Sequence, residues 1–111
     1  MSKPSKSSKK YKIYYHATAY DNLISIIENG ISPGVDGLVY LTEKEIDAVK
    51  FLYVRGCTNI ITFKIKLPIE DMANLEETFD HSYEFFKCRC YGYRGIISAK
   101  HVTPSRKFKL D

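Results

Sequence analysis

The stretch TNIITFKIKL, residues 58–67, alternates apolar and polar positions. Ile61, Phe63, Ile65 and Leu67 share one face, and Thr62, Lys64 and Lys66 share the other, which predicts a half-buried β-strand. YKIYYH, residues 11–16, is aromatic and β-branched and predicts a first strand. The period then changes. Leu23, Ile26 and Ile27 fall at helical spacing after Thr18 and Asp21, a capping-box pair, and Gly30 stands where a helix C-terminal glycine belongs. ISPGVDG, residues 31–37, is turn chemistry, and LVYLT, residues 38–42, is a short strand. Thr42 and Glu45 repeat the capping pattern at the start of EKEIDAVKFLYVRG, which ends at Gly56. The two halves echo each other as strand then capped helix, but their sequences differ too much for an internal repeat.

Beyond Leu67 the pattern weakens. PIEDMANLEETFDHSYEFF is polar, and predicts a short helical turn near residues 69–75 and a loop around FDHS. FKCRCYGY, GIISAKHV and RKFKL predict three further short strands, with Gly92 and Gly95 as breaks. The plan is α+β, with two early helices on a sheet completed by later strands.

At 111 residues the chain fits one domain with a core of its own, and 44% hydrophobic content with 14% aromatic residues fits a globular protein. No apolar run approaches the roughly 20 residues of a membrane span. The N-terminus has lysines without an apolar stretch behind them, so the expected location is cytoplasmic. Cys57, Cys88 and Cys90 are an odd number, which fits reduced thiols. Cys88 and Cys90 would share a strand face, and their spacing matches no zinc site, so no metal is expected. The net charge of +4 resides in the first ten residues, MSKPSKSSKK, which hold four lysines and no acid. Residues 1–10 are expected to be a disordered basic tail and 11–111 the folded domain. The tail offers weak, salt-sensitive attraction to an anionic partner, or only solubility.

His16 stands at the seam between the first strand and the first helix, where a side chain can serve structure or meet a ligand. Its neighbours widen the reading. YYHAT, the helix ending in NGI, and GLVYLT, taken in order, resemble the front half of the ADP-ribosyltransferase superfamily in its histidine-tyrosine-glutamate branch. NIITFKIKLP resembles that family's next strand, and YRGIISAKHV its closing stretch. The resemblance implies a compact ADP-ribosyltransferase-like fold, with two early helices on a strongly bent, mainly antiparallel split sheet.

It also implies NAD as a substrate. Cleaving the bond between nicotinamide and ribose passes through an oxocarbenium-like state, so a site must fix the ribose, hold the departing ring and stabilise positive charge. By resemblance, His16 would hydrogen-bond the adenosine ribose, beside the small residue Ala17. Thr18 would steady the strand end or add a polar contact. Tyr40 would stack on nicotinamide. Thr42 would line the pocket or only cap its helix, and Tyr15 would pack in the core. The family's late glutamate maps near Arg89 to Tyr91, where no acid occurs; Glu84 is the nearest candidate for that catalytic part, and Asp80 the second. His81, within DHS, adds a titratable imidazole, and Arg94 a cation for a phosphate of NAD or of an RNA end.

Three functions follow from the resemblance. The first is an ADP-ribosyltransferase, a glycosyltransferase acting on a protein or nucleic-acid acceptor. The second is an enzyme of the RNA 2′-phosphotransferase branch, although Arg55, Arg89, Arg94 and Arg106 fit none of that branch's motifs. The third is a binding module that kept the fold without catalysis. No membrane partner is expected.

Overall fold

The structure, a computed structural model, describes residues 10–78 and 90–110. Among these residues it is an α+β arrangement of six strands and two short α-helices. In chain order these are β1 (Tyr11–Ala19), α1 (Leu23–Asn29), β2 (Leu38–Thr42), α2 (Glu45–Tyr53), β3 (Asn59–Pro68), β4 (Leu75–Thr78), β5 (Cys90–Arg94) and β6 (Val102–Lys109). The strands form one open sheet, ordered β4-β5-β2-β1-β3-β6, and every pairing is antiparallel.

β3 is the backbone of this sheet, as its alternation predicts. Ile61, Phe63, Ile65 and Leu67 are all buried, in a core with Tyr14, Ile26, Ile31, Val39, Leu41, Tyr93 and Ile97. Burying each such side chain contributes about 1.5–3 kcal/mol. The pair Tyr14↔Ile65 puts Tyr14 on this core face. The other face carries Tyr15, paired with both Thr42 and Lys64, and receives α2. Thr62 belongs to that face and was expected among exposed polar positions. It is instead fully buried, because α2 and β6 close over it.

Several boundaries differ from the sequence expectation. β1 runs to Ala19 rather than His16, because residues 16–19 continue to find partners on β3. Neither capping box forms. Thr18 Oγ1 accepts from Asn22 Nδ2 at 2.8 Å in a 3-10 turn, Tyr20–Asn22, that precedes α1. Thr42 Oγ1 donates to the Lys44 carbonyl at 2.7 Å, and Glu45 reaches towards β3 and β6 instead of back to the helix start. Within α1, Ile26 is buried but Ile27 is exposed, since so short a helix turns only a narrow face inward.

The expected turn near residues 69–75 is a 3-10 helix, Ile69–Asn74, followed by the unexpected edge strand β4. Gly92 does not break β5: Leu38 fills the space above it and the ladder runs through. GIISAKHV is not a strand. Ile97 makes one bridge with Ile31, a 3-10 helix follows at Ala99–His101, and Val102 then opens β6. Gly30, at φ +81°, closes α1 with its N–H bonded to the Ile26 carbonyl at 2.8 Å. It also lies so close to Ile97 that a Cβ would meet that carbonyl oxygen at 2.2 Å. The glycine therefore both ends the helix and lets the 97–99 segment dock.

Candidate functional site

β1 has a long ladder on one side and almost none on the other. It pairs with β3 at every residue from Tyr11 to Ala19, while with β2 it shares, among the described residues, the single pair Tyr15↔Thr42. Beyond that pair a side chain supplies the next connection. His16 Nδ1 donates to the Tyr40 carbonyl at 2.9 Å. A carbonyl can only accept, so the hydrogen sits on Nδ1 and Nε2 of the neutral ring is left as an acceptor. Burial lowers the pKa of His16 below the usual histidine range, and the bond to the Tyr40 carbonyl offsets this only in part. The imidazole is held neutral.

Against this junction lies a cleft of about 410 Å³, lined by His16, Ala17, Tyr40, Thr42, Ala48, Phe51, Leu52 and Arg55. The last four lie on α2 and the turn that follows it, at the i, i+3, i+4, i+7 spacing of one helical face. They form a mainly apolar wall ending in a guanidinium. Arg55 Nη1 donates to the Phe51 carbonyl at 3.0 Å, and the guanidinium carbon lies 5.5 Å from the centre of the Phe51 ring.

Tyr40 contributes through two separate groups. Its carbonyl orients His16, and its hydroxyl donates to Asp36 Oδ2, anchoring the ring of a residue that is 38% exposed. Asp36 Oδ1 also accepts from the Leu38 N–H at 3.1 Å. The Tyr40 hydroxyl first, and then this backbone bond, hold the Asp36 carboxyl below the usual range. Thr42 lines the cleft with its hydroxyl already engaged by Lys44.

The structure thus gathers His16, Ala17, Tyr40 and Thr42 around one cleft and leaves two expected residues elsewhere. Thr18 is engaged with Asn22, and Arg94 forms an ion pair with Glu76 at 2.7 Å; neither lines the cleft. Glu84, His81 and Asp80 lie outside the described residues, as do Cys88 and the tail up to Lys9. The cleft wall of α2 was not read from the sequence. Its signal was present in the spacing of Ala48, Phe51, Leu52 and Arg55, which resembles an ordinary core stripe. Among the described residues no carboxylate lines the cleft, no cluster of three or more metal-ligating side chains occurs, and no helix is long and apolar enough to cross a membrane.

Comparison with protein-family models and with curated proteins returns no match to the chain. The chemical reading therefore rests on the cleft itself. Exposed aromatic and apolar surface, one neutral imidazole acceptor and one guanidinium suit a ligand that combines a planar ring, hydroxyl groups and negative charge.

Proposed function

We propose that this cleft binds NAD and that the chain is an ADP-ribosyltransferase of the histidine-tyrosine-glutamate kind. The observation that carries the reading is the His16–Tyr40 arrangement at the parting of β1 and β2. It joins a fixed-tautomer histidine to the anchored ring of a half-exposed tyrosine. In this reading His16 Nε2 accepts a hydrogen bond from a ribose hydroxyl, and burial, by lowering the pKa of the ring, favours the neutral form that offers this acceptor. The Tyr40 ring lies along the nicotinamide plane, with Phe51 and Leu52 excluding water on the facing wall. NAD supplies the labile carbon–nitrogen bond, whose electron pair leaves with nicotinamide; an acceptor nucleophile then takes the ribosyl carbon and releases its proton. Glu84 is the proposed carboxylate that stabilises the developing positive charge.

One observation favours a second reading, a module that binds the nucleotide without cleaving it: the described lining of the cleft contains no acid. Calorimetric titration with NAD, joined to a nicotinamide-release assay, separates the two. The enzyme reading expects saturable NAD binding that is lost in His16→Ala, and nicotinamide release that is lost in both His16→Ala and Glu84→Ala. Binding without release in the unaltered protein supports the module. Absence of NAD binding rejects both.

A further inference from the structure

We infer that Arg55 makes the cleft selective for phosphorylated nucleotides over neutral nucleosides, by receiving the anionic part of the ligand. The inference deepens the NAD reading and rests on it. Among the described residues, Arg55 is the one lining side chain with a fixed positive charge. It forms no ion pair with any described carboxylate, unlike Arg94 with Glu76 and Arg106 with Glu45. The guanidinium is nevertheless held. One of its N–H groups is spent on the Phe51 carbonyl and its plane lies near the Phe51 ring. Most of its five donors remain available, in the rigid fork that matches phosphate oxygens.

The surroundings suit such a ligand. Ala48, Phe51 and Leu52 make the same wall apolar, so a ligand ring can be buried beside the exposed guanidinium of Arg55 while its phosphate meets the cation at the mouth of the cleft. Arg55 lies in the turn after α2, seven positions beyond Ala48, roughly 10 Å along the wall if the helical rise is continued. That length lets an aromatic ring lie on the apolar part while a phosphate group reaches the guanidinium. A purely structural reading of Arg55 also exists, because a cation that bonds a carbonyl in the last turn stabilises a helix C-terminus. That role would not discriminate between ligands, and the two readings therefore diverge in the measurement.

The test is calorimetric titration of the full chain with ADP-ribose and, separately, with adenosine. The unaltered protein should bind ADP-ribose at least about tenfold more tightly, as expected for charge-assisted hydrogen bonds. Arg55→Ala should remove most of that advantage while changing adenosine affinity less than about twofold, and Arg55→Lys should restore part of it. Added salt should weaken ADP-ribose binding to the unaltered protein and leave adenosine nearly unaffected, a readout that needs no variant to fold. Equal losses for both ligands in Arg55→Ala, or an ADP-ribose affinity indifferent to salt and to Arg55→Lys, overturn the inference and leave the NAD reading intact. Failure of the unaltered protein to bind ADP-ribose or NAD removes both.

Discussion

Replacing Glu45 with alanine should loosen the attachment of α2 to the sheet, and the structure permits an estimate of how much. Glu45 Oε2 accepts from the buried Thr62 hydroxyl at 2.6 Å and from the Ser105 hydroxyl at 2.7 Å, and Oε1 lies 3.9 Å from Arg106 Nε. A hydrogen bond to a charged group contributes about 1.5–3 kcal/mol, and an exposed ion pair at that distance adds at most about 0.5 kcal/mol. Part of the loss is recovered. Thr62 Oγ1 also lies 3.0 Å from the Arg106 carbonyl and can turn its proton there once the carboxylate is gone. The net expectation is about 2 kcal/mol for Glu45→Ala.

Thr62→Val should cost about 2–3 kcal/mol, because the Arg106 N–H that Thr62 Oγ1 accepts at 3.1 Å is then stranded beside the irregular register at Thr62/Phe63. The assay is urea unfolding of both variants and their combination. The double variant should fall short of additivity by about 1 kcal/mol. The acid dependence carries a sign as well. Burial raises the Glu45 pKa, but the Ser105 and Thr62 hydroxyls and the charges of Arg106 and Lys64 outweigh it, so the net shift is downward. A depressed carboxyl stabilises the fold above its unfolded pKa, and that stability is lost as pH falls through the folded value. Glu45→Ala should flatten this acid limb. A stability change below about 0.3 kcal/mol, or strict additivity, would refute the idea that this cluster fastens α2.

Gly30→Ala should destabilise by more than about 3 kcal/mol, because φ is +81° and the new Cβ would meet the Ile97 carbonyl oxygen, whereas Gly92→Ala should cost about 1 kcal/mol, since only the movable Leu38 side chain stands in the way. Denaturant midpoints of the two variants check that order. Burial, with Tyr91 and Glu43 adding, pushes the Tyr14 phenol up to about 12. One tyrosine should therefore titrate late in the ultraviolet phenolate signal, and its contribution to stability, complete below the ordinary tyrosine pKa of about 10, should be lost as pH rises towards 12. For His16 the shift is downward and neutrality is favoured in the fold, so stability should fall as pH drops below the ordinary histidine range. Its ring resonances should show titration below that of a model imidazole, and His16→Ala should remove this acid-side slope.

The sequence made the elements legible where one periodicity acted alone. β3 alternates cleanly because one of its faces meets a single large core, and α2 shows a helical stripe because one of its faces meets the sheet. Reading failed where a residue's partner lies far along the chain. Thr62 looks like a solvent position until Glu45, Ser105 and Arg106 arrive from other elements. β4 contributes Leu75 and three polar residues, too little pattern to announce a strand, and it exists through pairing with β5 at the sheet edge. Gly92 looked like a break because nothing local reveals that Leu38 covers it. For the site, His16 and Tyr40 were singled out by resemblance. Their hydrogen bond spans 24 positions and follows from register, which neither strand displays by itself.

In the proposed site, that register gives one histidine two duties. β1 is fixed by its long ladder to β3, so its position does not depend on β2. β2 in turn is fixed by five successive pairs with β5. The two blocks meet at Tyr15↔Thr42, and the His16 bond to the Tyr40 carbonyl is a second tie close by. Because this tie uses Nδ1–H, a proton added at Nε2 leaves it in place and removes only the acceptor that faces outward from the bond. The geometry of the junction and the hydroxyl acceptor of the proposed site therefore separate in acid. Tyr40 divides in the same way: its carbonyl belongs to the backbone and survives any side-chain change, while its ring and hydroxyl, anchored by Asp36, carry the part that a ligand would meet. The junction is held by its two ladders and by Nδ1, and in the proposed site Nε2 and the tyrosine ring are the groups offered to the ligand.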